Sequence, residues 1–468
     1  MKNILYICLF DSTETFCQIG KKMEAEIKPF YVATRKEDLT ILGLNNVSDC
    51  SILDVSLSEK KIDDVISEKN YISILNDFED NRLSYYSILN ASRLLFGLEN
   101  RKKLKYLAFL LQEIDRFCIE NNINYIIAEP SDAAQILGQL ISWRRKLKFG
   151  QIGLSRIPKG RVLLFSDCFE SDYYKLEMST ADKVEDEYLS SAVKNSYTNF
   201  RLNPTKPSYY KRITINYSIF KLIRSTWVRI PKIANELSGR RELGDLSTIY
   251  LVPNKLKDIK RNLIEKLRKK PLVLDNSNYV TYFLHVQPER SIDVMAADYS
   301  DQISVIKIIR RALPISYILY VKDHPANDGA QSYNFYKEIS KIPNTKMVWR
   351  NSDSTKLIIN SRIIFTISGT VAFESALLGK PSVVFSNTFF SKLSNVYVYS
   401  TPMNLSEYIR SILRVSETLF NINNDNDHLL LSDILKNSIE TDWDGFYGRL
   451  DNSTINSFIR LIKRSLID

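Results

Sequence analysis

The sequence has few cysteines and histidines, and it has no long apolar run. Its five cysteines, at positions 8, 17, 50, 118 and 168, are odd in number and lack the spacing of metal ligands. This pattern predicts a reducing compartment and no disulfide framework. No uninterrupted apolar stretch approaches the roughly 18 residues of a membrane span. The opening MKNILYICLF is short and soon followed by Asp11 and Glu14, so we interpret it as a buried strand rather than a signal peptide.

Length and composition are those of an ordinary globular protein with more than one domain. The 468 residues predict two to three domains, each with a sizeable core. The hydrophobic fraction of 44% and the charged fraction of 25% are typical of soluble chains. We find no internal repeat and no low-complexity segment. A cytoplasmic protein built of compact domains is therefore expected.

The most informative stretch is residues 363–385, IIFTISGTVAFESALLGKPSVVF. Residues 363–367 are mostly apolar and β-branched, which predicts a strand buried on both faces. Apolar residues then recur at helical spacing over 371–378, and Gly379 and Pro381 end that helix. Residues 382–385 predict a second buried strand. The stretch therefore predicts a strand–loop–helix–strand unit of an open parallel sheet.

The loop of this unit, Ser368-Gly369-Thr370, is suited to a phosphate group. It would lie at the amino end of the helix, where backbone N–H groups and the positive end of the helix dipole converge. Gly369 would let the backbone approach a ligand closely. Glu374, one helical turn further on, could accept hydrogen bonds from the two hydroxyls of a ribose. The alternative is an ordinary strand-to-helix turn with a solvated glutamate.

The first 200 residues alternate strands with helices and predict a parallel α/β domain. Acidic residues follow two of its strands, Asp11 after the first and Glu129 and Asp132 after the second. We predict strands at 3–10, 125–128 and 161–165, and helices at 85–96, 100–120 and 133–148.

A second α/β domain is predicted from residue 278. We predict strands at 279–285, 317–322 and 345–348, helices at 299–313, 331–341 and 355–360, and then the unit at 363–385. Three loops, at 287–289, 322–325 and 368–370, would meet at the carboxyl ends of parallel strands, where open α/β sheets bind ligands. Two of the three histidines, His285 and His324, fall at these strand ends. We expect His324, held by Pro325 and beside Lys322, to contact a phosphate or carboxylate.

Residues 201–241 are strongly basic, with ten lysines and arginines and one acid, Glu236. Aromatic and aliphatic residues are interleaved with the basic ones. Such a segment suits an anionic surface. Because no compact nucleic-acid-binding motif accompanies it, we expect an anionic membrane surface as a partner, and no nucleic acid. The alternative is a solvated segment between two domains.

Three motifs occur in order, VQPE at 286–289, YVKDHP at 320–325 and TISGTVAFESALLGKP at 366–381. Together they resemble the bacterial capsular polysaccharide biosynthesis family, whose characterised members include Kdo transferases. The resemblance covers about a quarter of the chain. It implies an α/β, GT-B-like fold: two Rossmann-like domains, a cleft between them and C-terminal helices. It also implies that a nucleotide-sugar donor binds mainly to the second domain, and it implies no metal and no other cofactor.

The resemblance also implies roles for individual residues. His324-Pro325 corresponds to the family's His-Pro motif, the 368–370 loop to a phosphate site, and Glu374 to a ribose-binding glutamate. Lys322-Asp323 departs from the Lys-Glu expected in relatives, which leaves the role of Asp323 open. The expected donor-binding set is Gln287, Lys322, His324, Pro325, Ser368, Gly369, Thr370 and Glu374.

The catalytic base has to be sought by position, because the amino-terminal half matches no motif. Asp11, Glu129 and Asp132 follow strands of the first domain, and Pro288 holds Glu289 at a strand end of the second. With His324, these four acids are the catalytic candidates. A carboxylate there could deprotonate an acceptor hydroxyl or attack the sugar itself. The alternative for the acids of the first domain is an N-cap or turn residue.

These expectations divide the chain into four parts. Residues 1–200 form the acceptor domain, 201–277 the basic segment that approaches a membrane, and 278–404 the nucleotide-sugar domain. Residues 405–468 form helices that return to the first domain.

We predict a glycosyltransferase that transfers Kdo or a related ulosonic acid from a CMP donor. The acceptor would be a glycan or glycolipid of capsule or other surface polysaccharide, and the enzyme cytoplasmic or peripheral on the inner face of the cytoplasmic membrane. One alternative is a UDP-sugar epimerase or glycerophosphotransferase on the same scaffold. Another is a non-catalytic partner of polysaccharide export.

Overall fold

A computed structural model describes most of the chain. It covers residues 1–156, 160–176, 231–249, 278–327, 331–350, 352–400, 404–416, 425–441 and 451–467, with a few further residues between 191 and 257. The described residues fall into two units. Unit 1 draws on Met1–Lys183, Ser218–Val252 and Ile434–Asp468, and unit 2 on Val184–Tyr217 and Pro253–Asp433. Residues 201–230, which carry most of the predicted basic segment, lie outside the described part.

Unit 1 is built around a seven-stranded sheet. Its strands are β1 (Lys2–Cys8), β2 (Ile27–Ala33), β3 (Ile52–Asp54), β4 (Tyr125–Ala128), β5 (Lys148–Leu154), β6 (Arg161–Phe165) and β13 (Ile439–Glu440), in the order β13-β6-β5-β4-β1-β2-β3. Strands β1 to β5 pair in parallel, whereas β6 is antiparallel to both β5 and β13. The predicted parallel arrangement therefore stops at β5. Six residues separate β5 from β6, and a parallel crossover needs about a dozen.

Strands β2, β3 and β5 were not predicted from the sequence. Strand β5 reads KFGQIGL, and its two glycines weaken the apolar pattern of a buried strand. In the structure, Gly150 and Gly153 leave room for β6. A Cβ at these positions would lie 3.2 Å from the Leu164 side chain and 2.8 Å from the Phe165 ring. The glycines thus serve packing between neighbouring strands, which a single sequence does not reveal.

Helices cover both faces of the unit 1 sheet. They are α1 (Ser12–Met23), α2 (Lys36–Leu44), α3 (Ile62–Val65), α4 (Glu68–Asp77), α5 (Tyr85–Ala91), α6 (Asn100–Glu120), α7 (Ala133–Arg145) and the C-terminal α15 (Asn452–Ile462). On one face, Phe458 of α15 and Phe16 of α1 pack with Tyr6 of β1 in a single buried cluster. On the other face, Gly138 brings α7 close to Ile7 of β1. The carboxyl-terminal helix is therefore part of the core of unit 1.

Unit 2 contains a six-stranded sheet in which every strand pair is parallel. Its strands are β7 (Tyr279–Phe283), β8 (Ile318–Lys322), β9 (Thr345–Val348), β10 (Ile364–Phe365), β11 (Ser382–Val384) and β12 (Val396–Val398), in the order β12-β11-β10-β7-β8-β9. Its helices are α8 (Arg290–Asp293), α9 (Gln302–Ala312), α10 (Tyr333–Ser340), α11 (Ser354–Asn360), α12 (Val371–Leu377), α13 (Leu405–Ser416) and the greater part of α14 (Asp425–Lys436), which ends in unit 1. The strand order reverses between β7 and β10, as in a Rossmann fold.

The predicted α/β class with two Rossmann-like domains is confirmed by these two sheets. The cleft of a GT-B arrangement stays a prediction. One boundary difference concerns the site, because the strand predicted at 279–285 ends at Phe283. Leu284 and His285 therefore belong to the loop that follows β7.

Candidate functional site

A pocket in unit 2 opens at the carboxyl ends of β7, β8 and β10. It lies where the strand order reverses, the position at which open α/β sheets bind ligands. The lining residues are Phe283, Leu284, His285, Lys322, Asp323, His324, Pro325, Ser354, Thr366, Gly369, Thr370, Val371 and Glu374. The structure thus brings the predicted residues of the second and third loops around one space, with the exception of Ser368. Gln287 and Glu289 are also outside the lining.

Asp323 organises the His-Pro loop that follows β8. Its buried carboxylate accepts hydrogen bonds from the N–H of His324 at 2.9 Å, the Asn327 amide at 3.1 Å and the Tyr336 hydroxyl at 3.2 Å. The Asn327 N–H donates in turn to the His324 carbonyl at 3.1 Å, which closes a turn. The role that the sequence left open for Asp323 is therefore to hold the loop carrying His324.

The half-buried His324 ring has a defined tautomer. Its Nδ1 accepts a hydrogen bond from the Ala326 N–H at 3.0 Å, so in the neutral ring the proton is on Nε2. Burial lowers the pKa of His324, although the negative charges of Glu289 and Asp323 oppose that shift. The ring is therefore neutral near pH 7. Its Nε2–H is a donor without a partner among the residues that the structure describes.

Lys322 is buried at the end of β8, with 1% of the residue exposed. Its Nζ donates to the backbone carbonyls of Asp323 and Arg350, each at 2.8 Å. From the sequence, we expected this lysine to bind the donor together with His324. In the structure it ties the His-Pro loop to the segment after β9, and its charge forms part of the pocket wall.

The loop Ser368-Gly369-Thr370 leads from β10 into α12. Ser368 is bonded within the protein, because its N–H donates to Nε2 of His285 at 3.3 Å and its hydroxyl donates to the carbonyl of Ser291. Thr370 is the N-cap of α12 and makes no side-chain capping bond. Thr370 and Glu374, in the first turn of α12, both line the pocket. Of the two loop residues with hydroxyl side chains, Ser368 and Thr370, only Thr370 lines the pocket.

Gly369 is required by packing inside the protein. A Cβ at this position would lie 2.5 Å from the Thr366 hydroxyl oxygen and 3.4 Å from the His285 ring. Any side chain would therefore displace the Thr366 hydroxyl. The close approach of a ligand was the reason expected for this glycine, and the contact with Thr366 is a second reason within the protein.

The Gln-Pro-Glu loop is held by Asp293. The Gln287 amide donates to the Asp293 carboxylate at 2.7 Å and to the Ser300 carbonyl at 3.0 Å. The N–H of Glu289 donates to the other oxygen of Asp293 at 2.9 Å, at the start of α8. Gln287 therefore supports the loop. Glu289 is half-buried and close enough to His324 for its charge to oppose the lowering of that residue's pKa.

Asp11, Glu129 and Asp132 follow β1 and β4, between which the strand order of unit 1 reverses. Asp132 is the N-cap of α7, and its buried carboxylate accepts hydrogen bonds from the Ser92 hydroxyl and two backbone N–H groups. Burial raises the pKa of Asp132, and these bonds oppose the shift. Asp132 thus fits the N-cap alternative. Asp11 is exposed and makes no side-chain capping bond, and Glu129 is half-buried.

Ser354, Thr366 and Val371 line the pocket but were not predicted as site residues. Ser354 begins α11 directly after the N-cap Asp353. The polar run before that predicted helix was the available signal, because helix starts and strand ends meet at the ligand-binding edge. Thr366 follows β10 and gave no signal beyond its polarity within an apolar run.

Within the described ranges, no three His, Cys, Asp or Glu side chains converge as metal ligands. None of the helices in those ranges is long and apolar enough to cross a bilayer. Lys211, Arg212, Lys221 and Arg224 of the predicted membrane-binding segment lie outside the described residues.

The region that contains the pocket matches a known protein family. Residues 228–393 match the family model described as capsule polysaccharide biosynthesis protein. The predicted family is confirmed over these residues. This capsule-family region, residues 228–393, is about a third of the chain and contains the loops at 287–289, 322–325 and 368–370.

Several solved structures are distantly similar to the chain. KpsC, β-Kdo 2,7 transferase, of Thermosulfurimonas dismutans is 13% identical, with 75% of this chain and 89% of that chain covered and a TM-score of 0.37. UDP-GlcNAc 2-epimerase of Neisseria meningitidis is 13% identical, with 93% of this chain and 98% of that chain covered and a TM-score of 0.26. UDP-GlcNAc 2-epimerase of Methanocaldococcus jannaschii is 11% identical, with coverages of 93% and 99% and a TM-score of 0.33. None of the curated proteins compared with the chain matches it. With TM-scores below 0.5, these structures support no argument about activity.

Proposed function

We propose that the chain is a glycosyltransferase of capsule or other surface polysaccharide synthesis that binds a nucleotide-activated sugar in the unit 2 pocket. The observation that carries the proposal is the pairing, at one switch point, of the neutral His324 with Thr370 and Glu374. These groups offer a hydrogen-bond donor, a hydroxyl and a carboxylate. That combination suits a phosphate joined to a ribose. The match of residues 228–393 to the capsule family supports the same class.

In the proposed reaction, the Nε2–H of His324 donates to an oxygen of the donor phosphate. Negative charge builds on the nucleotide as the bond to the sugar breaks. A donor held in place before the reaction stabilises that charge without having to reorganise. His324 is held in place in this way, because Asp323 fixes its loop and the Ala326 N–H fixes the tautomer of its ring. A bond that strengthens in the transition state accelerates turnover, whereas one of constant strength only tightens binding.

Glu374 is proposed to accept hydrogen bonds from the ribose, one turn into α12 from Thr370. For the catalytic base, Asp11, Glu129 and Glu289 stay candidates. Asp132 is the weakest, because its carboxylate is already bonded to Ser92 and two N–H groups. The donor sugar is proposed to be Kdo or a related ulosonic acid carried by CMP, and the acceptor a glycan or glycolipid.

The decisive experiment tests donors in turn with the purified full chain. Thermal shift and calorimetry with CMP, UDP and other nucleotides establish whether a nucleotide binds and which one. Release of CMP from CMP-Kdo in the presence of acceptor would support the proposal, and interconversion of UDP-sugar epimers would replace it with an epimerase. The absence of turnover with every nucleotide donor would instead indicate a binding protein.

A further inference from the structure

His285 follows β7 and is fixed through its backbone by Gln302. The His285 N–H donates to Oε1 of Gln302 at 2.8 Å, and the His285 carbonyl accepts from Nε2 of the same side chain at 3.3 Å. Gln302 is 1% exposed and begins α9. A third bond joins it to the Gln287 side chain at 3.3 Å. The backbone of His285 is therefore held by a buried amide that also supports the Gln-Pro-Glu loop.

The His285 ring acts as an acceptor toward the segment after β10. Its Nε2 accepts from the Ser368 N–H at 3.3 Å and from the Thr366 hydroxyl at 3.0 Å. A backbone N–H can only donate, so Nε2 is unprotonated and Nδ1 carries the proton of the neutral ring. Burial, reinforced by the nearby His324, lowers the pKa of His285 to about 3. The acceptor is therefore present at every pH at which the enzyme would work.

These two bonds hold the chain on either side of Ile367, just before Gly369. Thr366 and Ser368 lie just before Gly369 in the chain. Gly369 is so close to the Thr366 hydroxyl and the His285 ring that a side chain has no room there. Without the acceptor, two buried donors would lose their partner, which would destabilise this arrangement of the loop relative to others in which the donors are satisfied. Movement at Ser368 would carry Gly369 and Thr370 with it.

We propose that His285 is a positioning residue, which acts through Thr366 and Ser368 to hold Gly369 and Thr370 in their ligand-binding arrangement. The inference rests on the proposed binding of a nucleotide phosphate in this pocket. His285 differs in role from His324, because its acceptor nitrogen is used by the protein itself.

The test compares His285→Leu with His285→Gln in the full-length protein. Leucine keeps apolar bulk but removes the acceptor, whereas the amide oxygen of glutamine can accept in place of Nε2. For His285→Leu we expect affinity for the cognate nucleotide, found among CMP and UDP by calorimetry, to fall about tenfold. Turnover per folded molecule should fall by at least as much. His285→Gln should recover most of both. His428→Leu, in α14, is the matched control and should bind like the wild type.

Hydrogen exchange separates this inference from the proposed function. In His285→Leu, a peptide covering residues 366–372 should exchange faster than in the wild type, and in His285→Gln it should exchange at nearly the wild-type rate. If the wild type binds no nucleotide, the proposed function is wrong. The exchange rates then still test whether His285 holds the loop. Unchanged exchange or unchanged nucleotide affinity in a folded His285→Leu would overturn it. The positioning role would also be overturned if both variants lost affinity and turnover equally, and only in proportion to their unfolded fraction.

A double-mutant cycle adds a readout that general destabilisation would not move. Thr366→Val removes one of the two donors to Nε2. If His285 acts through Thr366, the loss of affinity in His285→Leu/Thr366→Val should be smaller than the sum of the single losses, because contacting residues couple. Additive losses would overturn the proposed route through Thr366.

Discussion

At the scale of the residue, the chemistry of His324 is set by its own loop. The buried Asp323 and Asn327 and the half-buried Tyr336 form hydrogen bonds within or against this loop, and the Ala326 N–H donates to Nδ1 of the ring. The lowered pKa and the fixed tautomer follow from that environment. A histidine in an open loop would be partly protonated at neutral pH and free to exchange tautomers.

His324→Ala should therefore lose most of the sugar transfer. Removal of one preorganised donor typically costs about 2.7–4 kcal/mol of transition-state stabilisation, or roughly 10²–10³ in turnover. Nucleotide affinity should fall by a smaller factor, and the melting temperature should change little. Turnover and melting temperature are measured on the same preparations, with His428→Ala as the control. Full activity in a folded His324→Ala variant would show that His324 has no role in the reaction.

Glu374→Ala tests the ribose assignment. The loss of hydrogen bonds to a charged group should weaken nucleotide binding by roughly 1.5–3 kcal/mol, with the fold retained. Calorimetry with the cognate nucleotide measures the change. Glu407→Ala, an exposed glutamate in the first turn of α13, is the control and should leave affinity unaltered. If the two folded variants bind the nucleotide with equal affinity, Glu374 does not bind the ribose and is a solvated residue of the helix.

His285 predicts an acid-sensitive unit 2. An unfolded histidine titrates near 6.5, whereas burial lowers the folded pKa of His285 to about 3. Between these values only the unfolded chain binds the proton. The free energy of unfolding should therefore fall as the pH falls, by about 1.4 kcal/mol per pH unit from this residue. Urea unfolding at pH 7, 6 and 5 measures the slope. His285→Gln should reduce it, and equal slopes in the two proteins would contradict the lowered pKa.

At the scale of the element, the carboxyl-terminal helix α15 illustrates how distant sequence completes a core. Phe458 is fully buried in the cluster that includes Tyr6 of β1 and Phe16 of α1. Phe458→Ala should cost about 3–5 kcal/mol of unfolding free energy. Chemical denaturation measures the loss. Leu429→Ala on α14 is the control, since its side chain is 68% exposed and its replacement should cost less than about 0.5 kcal/mol. Similar losses in both variants would contradict the assigned packing.

The basic segment at 201–241 is the other element with a testable role. We expect the protein to pellet with anionic liposomes at low salt and to release as salt screens exposed charges beyond about 8 Å. Replacement of Lys211, Arg212, Lys221 and Arg224 with glutamine should abolish pelleting and leave nucleotide binding unchanged. The control removes as many charges elsewhere, from the exposed Lys307, Arg311, Lys337 and Lys341 of unit 2. If the wild-type protein does not bind anionic vesicles at low salt, the membrane hypothesis is wrong.

At the scale of the whole molecule, one strand order underlies both units. In each, the first strand lies beside the fourth at the reversal of the sheet, β1 with β4 and β7 with β10. Polar residues of the sequence cluster after these four strands, namely Asp11, Glu129, His285 and Ser368. Since a parallel sheet gathers its carboxyl ends on one edge, chemistry can be assembled there from residues about 80 positions apart, such as His285 and Thr366.

Much of unit 2 could be predicted because its local signals agree. Apolar runs, a Gly-Lys-Pro helix end and a His-Pro turn identify β8, β10 and α12 with small boundary errors. In unit 1 the same reasoning missed β2, β3 and β5. Gly150 and Gly153 in β5 satisfy a tertiary requirement, room for Leu164 and Phe165, that looks locally like a weak strand.

The sequence by itself determined the α/β class, the second-domain loops and the residue types that meet at its switch point. These follow from periodicity and from short signals whose physics is local. Only the tertiary structure decided which polar atoms border the pocket and which are used by the protein. Lys322, Gln287 and Ser368 were expected to bind the donor, and in the structure each of them donates a hydrogen bond to another group of the protein: a backbone carbonyl, the Asp293 carboxylate and the His285 ring nitrogen. The reason is that a hydrogen-bond donor can be assigned to a ligand only when its competing partners in space are known.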